Sequence, residues 1–265
     1  MRVLALDFDG VISDSAVESF VVALRTMARQ DPRPAWASSL SKLEGADTAC
    51  VRADSLYKGF LELMPLGNRA EDFSVALSLL EAGEVVDDQA GFDRFREGMG
   101  ADFLTEFHVA FYREREALRA SDPVAWLGLL APFREFVELL HRRSGDRILA
   151  LATAKDRPSV DRLLVAYGIA NLFPEELVID KEAGRSKRAH LLLLRERLGV
   201  EFDQITFVDD KLNHLEDVSG LGVQCALAGW GYNGERERRL ADQRGFLVCD
   251  RGSAEVDLFG TASGQ

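Results

Sequence analysis

Residues 1–15 read MRVLALDFDGVISDS, and within them the apolar run 3–8 is interrupted by Asp7, followed by Asp9 and Gly10. The β-branched and aliphatic start predicts a strand buried on both faces of a parallel sheet. Carboxylates one residue apart at the end of such a strand repel each other, and burying either without a partner is costly. The pair therefore points to a bound cation or to a reaction.

Working outward, runs of the same kind recur late in the chain: RILALAT (147–153), ELVID (176–180), QITFVDD (204–210) and VQCALAG (223–229), with GFLVCD (245–250) as a sixth strand. Between them lie helical patterns, PFREFVELLHRRSG (132–145), PSVDRLLVAYG (158–168) and SKRAHLLLLRERLG (186–199). Each closes on a glycine suited to a helix C-terminus. Alternating strand and helix predict an α/β fold with a doubly wound, parallel-sheet, Rossmann-like core. Residues 16–131 differ, with 3.6-residue periodicity in AVESFVVALRTMARQ, DFSVALSLLEAG and FDRFREGMGADFLTEFHVAFYREREAL. They predict an all-helical domain inserted after the first strand. The expected organisation is a core of residues 1–15 and 132–250, an insert of 16–131, and a C-terminal tail of 251–265. QDPRPAW (30–36) is a proline-punctuated turn in the insert, and the small, polar FGTASGQ (259–265) reads as a frayed end.

The chain has 265 residues, 47% hydrophobic and 29% charged, with a net charge of -12, the balance of a globular protein with a sizeable core. That charge argues against nucleic acid and anionic membranes as partners, since phosphate-rich surfaces are bound through clustered cations. No run approaches a membrane span and the N-terminus lacks a secretory pattern. Cys50, Cys225 and Cys249 are too scattered for structural zinc and read as free thiols in a reducing cytoplasm. A monomer and a homodimer are equally compatible with the sequence.

In an open parallel sheet the carboxyl ends of the strands share one edge, where ligands bind. Asp7 and Asp9 end the first predicted strand, Thr153 the second, and Asp209 with Asp210 the fourth, while Lys187 opens the helix after the third. So many acids at one edge call for positive charge, and Mg2+ takes carboxylate and carbonyl oxygens. Lys187 adds a fixed cation and Thr153 a hydroxyl beside free backbone amides. Metal, cation and aligned donors together make a seat for a phosphoryl group.

These residues resemble the four motifs of the haloacid dehalogenase superfamily: DFDGV, LALAT ending at Thr153, Lys187, and FVDD, in that order along the core. The resemblance implies that Asp7 is the nucleophile that becomes an aspartyl phosphate, and that Asp9 is the acid/base for leaving group and water. It implies Mg2+ held by Asp7, the backbone carbonyl of Asp9 and Asp210, with Asp209 in the first or second shell. Phe8, Thr153, Ala154 and Lys187 are the implied phosphate binders. An aspartate two residues after the nucleophile favours phosphate esters over the dehalogenation and phosphonate chemistry of relatives. The insert occupies the place of a helical cap, which in such proteins closes over the site. WGYN (230–233) resembles segments that follow the fifth core strand in phosphoglycolate-phosphatase-like and β-phosphoglucomutase-like relatives.

Other roles compete for several of these residues. Thr153 taken alone fits a cap of the following turn. Lys155 and Lys181 compete with Lys187 for the phosphate, and Lys155 also fits a substrate guide. Arg69, in the GNRAEDF loop, and Lys58 are candidate specificity residues of the insert, set against an ordinary surface role. His108, His141, His190 and His214 lack ligand spacing and read as helix-surface or boundary residues, although His214 stands where many relatives carry Asn or Asp, which leaves a role near the metal open to it. Phe103, Phe107 and Phe111 read as packing within the insert. The expected activity is a Mg2+-dependent phosphatase acting on a small phosphorylated metabolite. A phosphomutase of the same fold and a silent phosphoacceptor or binding protein are the alternatives.

Overall fold

The computed structural model describes residues 2–30, 34–43, 45, 47–67, 69–184 and 186–260; the QDPRPAW turn at 31–33 and the end of the chain at 261–265 lie outside them. The strands are β1 (Val3–Leu6), β2 (Ser13–Asp14), β3 (Ala131–Pro132), β4 (Ile148–Ala152), β5 (Val178–Ile179), β6 (Ile205–Asp209), β7 (Gln224–Ala228) and β8 (Leu247–Cys249). Six of them form one sheet in the order β5-β4-β1-β6-β7-β8, parallel throughout. Successive strands step outward from β1 in one direction and then the other, so β1 sits at the switch point where ligands bind in open α/β sheets. Register fixes what meets there. Leu6 is level with Leu151 and with Val208, so Asp7, Thr153 and Asp209 emerge within about one residue of the same height.

The chain divides into two compact units, Met1–Asp14 with Pro132–Gln265, and Ser15–Ala131. The second is helical: α1 (Ala16–Gln30), α2 (Pro34–Leu43), α3 (Thr48–Ala53), α4 (Ser55–Leu63), α5 (Ala70–Ala82), α6 (Gln89–Met99), α7 (Ala101–Ser121) and α8 (Pro123–Gly128). Its interior is an aromatic chain in which Phe20 meets Tyr57 and Phe60, Phe60 meets Phe73, and Phe73 meets Phe111, ring centroids 5.3–5.5 Å apart. Phe107 and Phe111 are fully buried, so the stripe on α7 is packing. Each such ring contributes roughly 1.5–3 kcal/mol by burial. Beside it Glu18, fully buried on α1, accepts two hydrogen bonds from Arg115 at 2.7 and 2.9 Å and one from Trp126 Nε1 at 3.2 Å. Burying that carboxylate is tolerable because every donor is in place.

The first unit adds α9 (Arg134–Arg143), α10 (Arg157–Ala166), α11 (Lys187–Leu198), α12 (Leu212–Ser219), α13 (Glu235–Gln243) and α14 (Ala254–Phe259). Its core runs through Val3, Ala5, Ala150, Ile179, Leu191, Leu194, Phe207, Leu215 and Leu227. Residues 251–260 correct the expectation of a tail: α14 folds against α9 and β8, burying Ala254 and Leu258. The glycine rule holds for α11, where Gly199 caps at φ 62°, whereas α9 ends on Ser144 in helical conformation without using Gly145. His190 is not a surface residue either. It is buried on α11 with Nε2 2.9 Å from the Gly184 carbonyl, and burial, reinforced by the charge of Lys187, pulls its pKa down to about 4. Among the described residues no helix is long and apolar enough to cross a membrane.

Candidate active site

Lys187 is the hub of the carboxyl edge. Ser186 caps α11 by accepting the Ala189 N–H, so Lys187 begins the helix and its side chain runs inward. Nζ lies 2.7 Å from Asp7 Oδ1 and 3.2 Å from Asp209 Oδ2, and donates to the Ala152 carbonyl at 2.8 Å. All three side chains are buried. Burial pushes the Asp7 carboxyl above its ordinary pKa, with Lys187 opposing and Asp209 reinforcing. For Asp209, burial pulls the same way but Lys187 and then His214 outweigh it, holding the group below the usual carboxylate range. Lys187 itself is raised: desolvation, the largest influence, is overcome by the two acids.

Asp209 is held from two further sides, by the Lys211 backbone N–H at 2.9 Å and by His214 Nδ1 at 3.1 and 3.0 Å from its two oxygens. Asp210 faces a different neighbourhood. Its Oδ2 accepts the Tyr232 N–H at 2.8 Å, and its backbone carbonyl accepts from Asn233 Nδ2 at 3.1 Å. Gly10, at φ +82°, lies so close that a Cβ there would stand 2.3 Å from Asp210 Oδ2. A Cβ on Gly231 would stand 2.4 Å from both Asp210 Cβ and the Gly10 carbonyl. Two glycines are therefore required for DFDG, FVDD and WGYN to pack together. Burial, with Asp209 and Asp7 nearby, raises the Asp210 carboxyl to about 7 against the opposing charge of Lys211.

Asp9, about a third exposed, faces Lys155, whose Nζ lies 3.0 and 3.3 Å from its two oxygens. Lys155 is itself buried, so this lysine is turned to Asp9 rather than standing in solvent. Thr153 is buried at the end of β4 and its Oγ1 accepts the Lys155 N–H at 3.1 Å. The Phe8 N–H donates to Asp7 Oδ1 at 2.7 Å, and Ala154 is exposed. Arg69 and Lys58 are exposed residues of the helical unit, Arg69 at the N-cap of α5 and Lys58 within α4. Lys181 is paired with Glu182 at 3.6 Å.

The anchoring of Asp210 by Tyr232 and Asn233 and the inward turn of Lys155 were not legible in the sequence, while for His214 the sequence leaves open a role near the metal without naming its contact with Asp209. The WGYN segment was the available signal for the first. The others depend on side-chain direction, which no spacing reveals.

A hard divalent cation is tested by the charge balance of this edge. Asp7, Asp209 and Asp210 are all at most 7% exposed, and the ammonium in contact with the first two is that of Lys187. Ligand atoms of Asp7, Asp209 and His214 lie within 4.8 Å of one another, and the raised Asp210 carboxyl marks negative charge that a cation would relieve. The donor set fits a divalent metal ion.

A doubly wound sheet whose carboxyl edge gathers buried acids around one lysine, interrupted after its first strand by a helical unit, is the architecture of haloacid dehalogenase-like proteins. The chain belongs to that family: the model for haloacid dehalogenase-like hydrolases matches residues 1–216. It is similar to the phosphoglycolate phosphatase of Escherichia coli K12, 35% identical over 88 residues, which is 32% of this chain and 34% of that protein. The match thus spans about a third of that relative's length. In fold it is similar to a haloacid dehalogenase-like hydrolase from Streptococcus pneumoniae, TM-score 0.61 at 12% identity, with 96% of each chain covered. A predicted phosphoglycolate phosphatase from Haemophilus somnus gives TM-score 0.60 at 16% identity, again with 96% of each chain covered.

Proposed function

We propose that this protein is a Mg2+-dependent phosphatase that hydrolyses a small phosphorylated metabolite through an aspartyl phosphate on Asp7. The observation that carries the reading is the contact of Lys187 with both Asp7 and Asp209 at the switch point of the sheet. Asp7 is the nucleophile, and attack of its carboxylate on phosphorus expels the alcohol of the ester. Asp9 gives that alcohol a proton and then takes one from the water that cleaves the acyl phosphate, which splits one difficult displacement into two easier ones. Lys155 orients Asp9 for both transfers. Lys187, the Thr153 hydroxyl and the backbone amides of Phe8 and Ala154 receive the phosphoryl oxygens. Asp7, the backbone carbonyl of Asp9 and Asp210 would hold the magnesium ion, with Asp209 in its first or second shell, and the ion would supply charge neutralisation for the transferring group.

The helical insert serves as a cap that supplies specificity, with Arg69 and Lys58 as its cationic candidates for an anionic substrate. Because the chain is similar over 88 residues to a phosphoglycolate phosphatase, phosphoglycolate is one of the first esters to try. The test is phosphate release from a panel of phosphorylated sugars and small acids, with Mg2+ or with EDTA, for wild type and Asp7→Asn. The reading expects metal-dependent release that vanishes in the variant. Isomerised sugar phosphate in place of free phosphate would establish the mutase instead, and full activity in Asp7→Asn would overturn the mechanism.

A further inference from the structure

We propose that His190 is a positioning residue for both active-site ammoniums, Lys187 and Lys155, acting through the segment 180–184 that it fastens to the start of α11. The inference rests on the roles given to the two lysines above and adds what holds them in place. His190 is 1% exposed and stands three residues after Lys187, on the same side of the helix. Its Nε2 lies 2.9 Å from the Gly184 carbonyl. A carbonyl only accepts, so Nε2 carries the proton and Nδ1 carries none. Nδ1 is buried and meets no hydrogen-bond partner among the described residues. A proton there would be an unmatched buried donor beside the charge of Lys187, in keeping with the depressed pKa of the ring. One neutral tautomer is therefore fixed.

The segment that His190 grips is a closed turn. Asp180 accepts the Glu182 N–H at 2.8 Å through Oδ1 and the Ala183 N–H at 3.1 Å through its carbonyl. Gly184 seats on the helix, where a Cβ would stand 3.0 Å from Ala189 Cβ and 3.5 Å from His190 Cδ2. At its other end the Lys181 N–H donates to the Lys155 carbonyl at 3.4 Å. The turn is thus tied on one side to the helix that Lys187 begins, and on the other to the residue whose ammonium meets Asp9. An apolar side chain at 190 would leave the Gly184 carbonyl unheld and the turn slack. A catalytic group misplaced by about 1 Å can cost roughly 100-fold in rate, so the slack is read in kcat.

The test uses the full-length protein as wild type, His190→Leu and His190→Gln, since glutamine places an amide N–H where Nε2 stands. 15N NMR of the wild type reads the tautomer, lysine-selective spectra read the Nζ protons of Lys187 and Lys155, and phosphate release gives kcat and KM. The inference expects the Nε2–H tautomer in wild type, and both Nζ signals shifted in His190→Leu but close to wild type in His190→Gln. It expects kcat about tenfold lower in His190→Leu with KM within about threefold, and most of that loss recovered by glutamine. The Nδ1–H tautomer, Nζ signals of His190→Leu matching wild type, or equal losses in the two variants would overturn it. The tautomer and the Nζ signals of His190→Gln decide the matter even where His190→Leu does not fold. Wild type that releases phosphate from no ester would overturn the phosphatase reading alone, because the tautomer and the lysine spectra need no turnover.

Discussion

Lys187 Nζ and Asp7 Oδ1 meet at 2.7 Å inside the carboxyl edge of the sheet, the lysine arriving from the start of α11 and the aspartate from the end of β1. The same ammonium reaches Asp209 at 3.2 Å, so one buried cation serves two buried acids. Removing it takes away the ammonium that both acids share and leaves Asp209 with the Lys211 N–H and His214. Lys187→Met is expected to cost about 3–5 kcal/mol of stability in EDTA, measured by urea denaturation. Divalent cation should restore part of that loss, because it takes over the neutralisation. A variant as stable as wild type in EDTA would mean that the acids do not depend on this lysine.

The raised Asp210 carboxyl sets a pH dependence for the metal-free protein. Its pKa stands at about 7 when folded against an ordinary 3.8 for the exposed side chain, so the folded state binds the proton more tightly and the stabilising contribution is present at low pH. That contribution is lost as pH rises from about 4 through about 7, at up to about 1.4 kcal/mol per pH unit. Asp210→Asn keeps the shape and removes the titration. Melting temperatures in EDTA between pH 4 and pH 8 should therefore fall less steeply for the variant than for wild type, and parallel curves would contradict the assignment.

Gly10 allows no side chain. Alanine there would combine a left-handed φ of +82° with a Cβ 2.3 Å from Asp210 Oδ2, displacing the DFDG turn from FVDD. Gly10→Ala is expected to destabilise the protein by roughly 2–4 kcal/mol and to abolish phosphate release. Gly83→Ala is the control: it shares the positive φ, at +67°, but its Cβ would meet nothing within 4 Å. Thermal melts of the two should separate the steric cost from the backbone cost.

What the sequence makes legible follows from which forces are local. The strands 3–6, 148–152 and 205–209 declare themselves because parallel strands buried on both faces are continuously apolar, and a doubly wound sheet then brings their carboxyl ends together. Asp7 and Asp209 were placed for that reason, and Lys187 by the resemblance of its position, at the start of the helix before the FVDD strand, to the family's third motif. The contacts of Lys155 with Asp9, and of His214 with Asp209, were not legible, because both depend on rotamers that packing selects. Residues 251–260 were misread as tail because a six-residue helix carries too few turns for a periodic signal. Its Ala254 and Leu258 have meaning only against the helix they cover.

Inside the helical unit, Arg115 faces Glu18 through two hydrogen bonds, with Glu18 wholly shielded from water. Arg115→Met strands that carboxylate beside Trp126 and is expected to cost about 3–5 kcal/mol. The double variant Glu18→Gln/Arg115→Met should recover part of the loss, since no buried charge then remains. Chemical denaturation of Glu18→Gln, Arg115→Met and the double variant measures this directly, and additive losses would argue against a coupled pair.

The proposed aspartyl phosphate on Asp7 can be caught by rapid quenching of the working enzyme into acid followed by peptide mass spectrometry. One added phosphoryl group is expected on the N-terminal peptide that contains Asp7, formed during turnover in Mg2+ and absent from Asp7→Asn. Steady phosphate release by Asp7→Asn, or turnover in wild type with the phosphoryl group trapped on another residue, would contradict it.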